Sequence, residues 1–473
     1  MTIDLLIHGP HVLTLAGDGV GYQADFALAI DRGRILATGP KSDLLQEYAA
    51  ERTLDAEGHV VLPGLVDGHM HTGMALLRGL AQDTRYWMMH GVGPFTAHLD
   101  AQAMDAGSRL AIVEALHAGT TTFGDFGWRM HGVCEFLERV GARGVVCTTI
   151  REAEQRIYAP GEVYTFDPNL GRRQLEANLA LFDRWHGAAN GRIRVLFGPQ
   201  GPDFVSRDLL LEVRRLAGER GTRIHMHTAQ GDRETEQMLL RYGQRSIRWL
   251  DALGYLDPLL QAIHLTDATD DEAALVASRG CTMVVCSGSI GLIDGIVPPA
   301  RAFQSAGGSV ALGSDQAPGN NNHNIFNEMK LTALLNKVRA QDPEVMPAWR
   351  VLRMATIEGA RALGLASEIG SLEPGKRADL ILVDLRRPTM VPVHVEPMRN
   401  LVPNLVYAAR GDEVSTVVID GSIVVEDGRV QRIDENEILA EAQRLADPVG
   451  PAAAEDFWRV ASANAEMMRA GRL

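Results

Sequence analysis

The chain has 473 residues, 46% of them hydrophobic and 22% charged, and carries a net charge of −14. That length accommodates one large domain with a smaller companion. The acidic balance argues against a nucleic-acid partner or an anionic membrane surface, and no basic or aromatic-interleaved run opposes it. Cys134, Cys147, Cys281 and Cys286 show no C-x-x-C spacing and read as buried reduced thiols. Met1-Thr2-Ile3-Asp4 is not followed by a signal-peptide pattern, and there is no apolar window of about 18 residues. The expectation is a cytoplasmic protein.

The first sixty residues predict short strands, Asp4–His8, Phe26–Ile30 and Arg34–Ala37, around Asp31-Arg32-Gly33. From residue 60 to about 312, apolar strands alternate with helical stretches. The strands are Val60–Val66, Thr120–Phe126, Gly144–Ile150, Ile193–Phe197, Arg223–His227, Leu260–Leu265, Cys281–Val285 and Ser309–Leu312. Helical runs such as Ala101–His117, Ser206–Arg220, Arg233–Leu253 and Ala274–Arg279 separate them. Eight strands alternating with helices over about 250 residues predict an α/β fold, a TIM-like (β/α)8 barrel. A doubly wound open sheet is the competitor, but no phosphate-binding glycine motif follows any strand. Near the C-terminus the β pattern returns at Ala378–Val383 and in a hairpin across Asp420-Gly421. Both chain ends are therefore expected to build one small β-sandwich domain from 1–60 and 366–433, bracketing a barrel over 61–365. A helical tail, 434–473, broken at Asp447-Pro448-Val449-Gly450-Pro451, reads as a surface helix pair or an oligomer contact.

Chemistry concentrates at the strand ends. His69 and His71 are two apart at the end of the first strand, so both imidazoles can face one point, as a metal site requires. The fifth strand ends in His225-Met226-His227, the sixth in His264, and the eighth runs into Asp315. Active sites of such barrels lie at the C-terminal strand ends. Three histidines and a carboxylate gathered there, His69, His71, His227 and Asp315, point to one divalent ion. Imidazole and carboxylate donors suit zinc, with iron, cobalt or manganese as alternatives. His225 would sit one layer deeper, as a core histidine.

With these motifs the chain resembles the amidohydrolase superfamily, in the branch of S-adenosylhomocysteine and cytosine deaminases, guanine-type deaminases and triazine herbicide hydrolases. The resemblance spans almost the whole chain: P-G-L-V-D-G-H-M-H at 63–71, L-L-R-G-L-A-Q-D at 76–83, H-M-H at 225–227, A-L-G-S-D at 311–315, N-N-N-H-N-I-F-N-E-M-K-L at 320–331 and G-S-L-E-P-G-K-R-A-D-L at 370–380. It implies metal ligation by His69, His71, His227 and Asp315, with catalytic roles for His264 and Asp315. Binuclear relatives carry a bridging lysine on the fourth strand; Ile193–Gln200 has none, which implies a mononuclear site.

The substrate side departs from the branch. Its deaminases carry a glutamate three residues after the fifth-strand histidine, where this chain has Gln230. Gln200 replaces a histidine after the fourth strand, and Cys286-Ser287-Gly288-Ser289 replaces an Asn-Pro-x-Ser-Asn run after the seventh. An amide cannot shuttle a proton, and losing a general acid costs roughly 10²–10⁴-fold in rate. Asp232 and Glu234 could substitute, but read more simply as surface charges. The expectation is therefore hydrolysis of a C–N or C–S bond at a carbonyl-like carbon of a small molecule: an amide, urea, carbamate or thiocarbamate. The alternative is deamination of a nucleobase-like or triazine ring. A non-catalytic relative is disfavoured by the complete ligand set. Gln200, Gln230, Trp87 and Trp128 are the expected substrate contacts, and a homo-oligomer is the expected assembly.

Overall fold

The computed structural model describes all residues except 86, 157, 160, 460 and 461, together with the side chains of Met89 and Asp232. Five strands come first: β1 (Thr2–Leu13), β2 (Tyr22–Asp31), β3 (Arg34–Pro40), β4 (Ala49–Asp55) and β5 (His59–Pro63). Nine follow: β6 (Leu65–Met70), β7 (Thr120–Gly127), β8 (Arg143–Ile150), β9 (Ile193–Val195), β10 (Gly198–Pro199), β11 (Ile224–Thr228), β12 (Leu260–His264), β13 (Thr282–Val285) and β14 (Val310–Leu312). Four close the chain's β content: β15 (Leu380–Asp384), β16 (Val414–Ile419), β17 (Ser422–Glu426) and β18 (Arg429–Val430).

The two chain ends share one nine-stranded sheet, ordered β18-β17-β16-β15-β5-β1-β2-β3, with β4 also pairing β1. Alternation gives it two apolar faces. Leu5, Ile7, Leu28 and Ile30 pack with Val61, Leu380, Leu382 and Val418, while Leu6, Ala27 and Ala29 pack under Leu44 of the helix Lys41–Glu47. The hairpin expected at Asp420-Gly421 forms, with both residues at positive φ (51° and 73°), as a two-residue primed turn needs.

The middle strands are all parallel. The run β6-β7-β8 continues into β9 and β10, and β11-β12-β13-β14 form a second set. Single parallel bridges, Phe197 to Ile224 and Met70 to Asp315, join the sets at both seams. Helices such as Ala101–His117, Met130–Val140, Pro168–Trp185 and Arg207–Glu219 connect successive strands.

Several expected elements divide differently. The apolar run Val60–Val66 is two strands: β5 pairs with β1 and β15, and β6 with β7. The terminal sheet thus extends three residues past the boundary expected at 60. Gly64 marks the switch, because a Cβ there would lie 2.2 Å from the Thr121 side chain. The run Arg233–Leu253 breaks into Asp232–Tyr242 and Ser246–Ala252 at Gly243, whose φ of 67° suits glycine. Ala274–Arg279 starts earlier, at Asp270, under a Thr269–Glu272 capping box. Among the described residues the C-terminal segment forms the helices Glu435–Ala446, Val449–Arg459 and Ala463–Arg469 rather than a pair. The first is tied to Ala101–His117 through Glu435–His117 (2.8 Å) and Glu441–Arg109 (2.7 Å).

The terminal sheet docks at the N-terminal ends of the parallel strands. Arg143, the first residue of β8, makes a bidentate pair with Asp379 at 2.7 and 2.9 Å, both side chains 2% exposed. Leu65 N–H bonds Gly119 O, and Gly64 N–H bonds Asp379 O. The opposite, C-terminal strand ends are left for the site. No helix among the described residues is long and apolar enough to cross a membrane.

Candidate metal and catalytic site

Two hydrogen bonds splice the end of β6 to the end of β14: Asp315 N–H to His69 O and His71 N–H to Asp315 O, both 2.8 Å. This brings the first and last parallel strands together at the residues singled out in the sequence. His69, His71 and His227 form one group whose ligand atoms all lie within 4.8 Å of one another, and His69, His264 and Asp315 form another.

The ring tautomers follow from their partners. Gln261 Nε2 donates to Ala362 O, a carbonyl that can only accept, so Gln261 Oε1 faces His225 and takes a proton from its Nδ1 (2.7 Å). His225 Nε2 is then an acceptor and receives the Nδ1 proton of His69 (2.7 Å). His71 Nδ1 donates to Phe126 O (2.6 Å), and His227 Nδ1 to Gln200 O (2.8 Å). All three Nε2 atoms therefore carry lone pairs, and they point at one another: His71 and His227 Nε2 are 3.4 Å apart with no proton between them.

Asp315 completes the set. Its Oδ1 lies 3.4 Å from His71 Nε2 and 3.6 Å from His69 Nε2, while Oδ2 accepts from Ser289 Oγ at 2.5 Å. His69 Nε2 and Asp315 Oδ1 are buried with no protein hydrogen-bond partner. Buried polar atoms are seldom left so. Donors about 2.0–2.1 Å from a tetrahedral ion stand about 3.3–3.4 Å apart. The observed separations fit one divalent ion. Burial, reinforced by the neighbouring imidazoles, pushes His69 and His227 well below the usual histidine range, which keeps them neutral and ready to ligate.

His264 stands beside this set, its ring centroid 5.3 Å from that of His69 and 5.4 Å from that of His227. Both its ring nitrogens are buried without a partner, and burial pushes it down to about 4. His264 and Asp315 share a strained feature, positive φ of 73° and 62°. Non-glycine residues held this way cluster where side chains must be aimed.

Buried carboxyls hydrogen-bond to the main chain at and beside the site residues. Asp67 accepts from His69 N–H and Ser314 N–H, Asp125 from Thr72 N–H and its hydroxyl, and Glu328 from Gly288 N–H and Asn320. Burial raises all three, to about 7, 6 and 8. The sequence offers a signal for the first two, since an aspartate inside an apolar strand needs a partner. His225 also departs from expectation. It is deeper, but as the acceptor that orients His69 rather than as inert core.

On the substrate side the expected residues differ in setting. Gln200 lends its carbonyl to His227, and its Oε1 is buried without a partner. Gln230 is half-buried. Glu234, expected at the surface, is instead 1% exposed and accepts from Ala229 N–H (2.7 Å) and Gln230 N–H (2.9 Å). Burial, then the neighbouring Asp203, raises its carboxyl to about 8. The Asp232 side chain lies outside the described atoms. Trp87 packs in a cluster with Leu76, Leu77, Phe95 and Phe457, and Trp128 is 43% exposed.

Residues 60–424 match the model of the amidohydrolase family. The chain belongs to that family. It is 34% identical, over 93% of its length and 98% of the relative's, to the 5-methylthioadenosine/S-adenosylhomocysteine deaminase of Moorella thermoacetica. It is 33% identical, over 94% and 98%, to the 5'-deoxyadenosine deaminase of Methanosarcina mazei. The crystal structure of an adenosine deaminase from Xanthomonas campestris with bound zinc superposes with a TM-score of 0.86, at 30% identity, over 95% of this chain and 99% of that one. As a family member this chain is a hydrolytic enzyme acting on non-peptide C–N bonds. Among such reactions, the relatives favour the deaminase alternative over the carbonyl hydrolysis expected from Gln230.

Proposed function

We propose that the protein is an aminohydrolase that releases ammonia from an adenosine-like nucleoside or a related aminoheterocycle, using one zinc ion held by His69, His71, His227 and Asp315 at the mouth of a (β/α)8 barrel. The observation that carries the substrate class is the near full-length identity to deaminases of adenosine-like nucleosides. The converging Nε2 lone pairs and Asp315 Oδ1 support the metal.

When bound, a divalent ion lowers the pKa of its water from about 15.7 to roughly 7. The chain's own groups then do the rest. The Asp315 carboxylate accepts the proton of the attacking water and passes it to the leaving nitrogen, oriented by the Ser289 hydroxyl on its Oδ2. His264, neutral at neutral pH, orients the water or donates to the developing negative charge. The Gln230 amide offers an N–H donor to the ring nitrogen and an oxygen to the exocyclic amine, complementary to an amidine edge. It polarises that edge without protonating it.

Gln230 also favours a second reading, hydrolysis at the carbonyl carbon of a urea, carbamate or thiocarbamate, which needs no ring protonation. Both are tested by one screen on metal-quantified protein. Ammonia release is assayed from 5'-methylthioadenosine, S-adenosylhomocysteine, 5'-deoxyadenosine, adenosine and an aminotriazine, beside a panel of amides, ureas, carbamates and thiocarbamates. Turnover of an aminoheterocycle is expected. Turnover confined to the carbonyl panel overturns the deaminase reading.

A further inference from the structure

Between His227 and the helix Asp232–Tyr242 lies a short loop in which Ala229 takes a left-handed backbone, φ 50°. A residue with a Cβ stays in that conformation only when its surroundings hold it. Glu234, in the first turn of the helix, supplies the hold by accepting the N–H groups of the two peptides that flank Ala229, those of Ala229 and Gln230. The same loop is stitched to the one after His264, through Leu265 N–H to Thr228 O (3.1 Å) and Asp267 N–H to Ala229 O (3.0 Å). Glu234 thus fixes the main chain from which Gln230 is presented, next to the loop that carries His264.

Two facts separate this arrangement from a relocated acid. Both Glu234 oxygens are turned onto main-chain N–H groups, and the side chain is 1% exposed, so the carboxyl faces the loop it holds rather than an open cleft. The metal side has its own supports: His227 is held by Gln200 O, His69 by His225 and Asp315 by Ser289. We propose that Glu234 is the positioning residue for Gln230, so that its contribution to turnover passes through the Gln230 side chain alone. The inference rests on the reading of Gln230 as a substrate contact.

The test is a double-mutant cycle of Glu234→Gln and Gln230→Ala. It is read as kcat/KM on the substrate turned over fastest in the screen, with zinc per protein measured for each variant. Glutamine keeps the size of the side chain but has one acceptor oxygen, so it satisfies only one of the two amides. In the parent, Glu234→Gln is expected to lower kcat/KM about 10–100-fold, the order that misplacement of a contact costs, with zinc content unchanged. In the Gln230→Ala background the same change is expected to cost less than about twofold. An equal penalty in both backgrounds, or loss of zinc, overturns the proposal and leaves the reading of Gln230 intact. A Gln230→Ala variant as active as the parent removes that reading and the proposal together. Hydrogen exchange on the parent protein provides a check independent of any variant. Slow amides at Ala229 and Gln230 are expected, and fast exchange at both overturns the clamp even if Glu234→Gln does not fold.

Discussion

The two sides of the candidate site are built differently. On the metal side each donor sits at a strand end, and its second atom is pinned by a rigid group: His71 by Phe126 O, His227 by Gln200 O, His69 by His225, Asp315 by Ser289. On the substrate side Gln200, Gln230 and Trp128 lie outside helices and strands and Trp87 opens a short helical segment, Trp87–Val92, in settings that range from the buried Trp87 to the 43%-exposed Trp128. The first side needs a fixed geometry for any reaction that activates water. The second can change with the substrate, and the family resemblance implies departures there at Gln200, Gln230 and Cys286–Ser289. On the proposed function, the contrast assigns water activation to the strand ends and the choice of substrate to the segments that follow them.

The sharpest way to break this contrast is to attack the metal side. Chelation is expected to abolish turnover of every substrate alike, with activity returning in proportion to zinc restored. Turnover that survives with less than about a tenth of an equivalent of metal would sink the metal reading. Asp315→Asn is next in size. It keeps the shape but removes the proton acceptor, so kcat should fall about 10²–10⁴-fold whichever substrate is used. A smaller loss is expected from His225→Ala. The variant leaves His69 without its acceptor, and metal affinity should drop about 10–100-fold, measured by titration against a competing chelator. Unchanged affinity would return His225 to the inert core role read from the sequence.

The substrate side predicts selectivity rather than loss. Gln230→Glu introduces a group able to protonate a ring nitrogen. It should raise ammonia release from aminoheterocycles by up to about 10²-fold without raising hydrolysis of ureas or carbamates. An equal change on both classes would place Gln230 outside substrate recognition.

Much of the metal side was legible in the sequence because its logic is periodic. An i, i+2 histidine pair on a strand converges whatever the neighbours do, and the spacing of strands and helices put His227, His264 and Asp315 at matching ends. Periodicity could not show that Val60–Val66 belongs to two sheets, because both strands are apolar and the break depends on how closely Gly64 approaches Thr121. Glu234 departs from the sequence expectation for a related reason. An acid in the first turn of a helix is usually a solvated charge, and only the fold of the Thr228–Gly231 loop turns it inward onto two amides. The strand register places His225 below His227, but its link from Gln261 to His69 joins residues far apart in the chain and leaves no local pattern.

The least of the expected effects concerns stability, and its sign follows from burial. Glu328 is wholly buried, and desolvation, followed by Asp67 and Asp315, raises its carboxyl from 4.5 to about 8. The folded state therefore keeps a proton that the unfolded chain releases. The stability contributed by this group is complete below the unfolded value and is lost as pH rises through about 8. Buried His225, His264 and His323 act with the opposite sign. Burial lowers each from 6.5 to about 4, so their contribution grows over that interval and is complete above it. Above pH 6.5 the raised carboxyls act without that opposition. The Tm of the metal-free protein should therefore fall between about pH 7 and 8, and Glu328→Gln, which has no proton to lose, should flatten that decline. Metal-free protein is needed because proton release on ligation would otherwise add its own slope. A variant whose profile runs parallel to the parent's would assign the decline to other groups and leave Glu328 ionised in the fold.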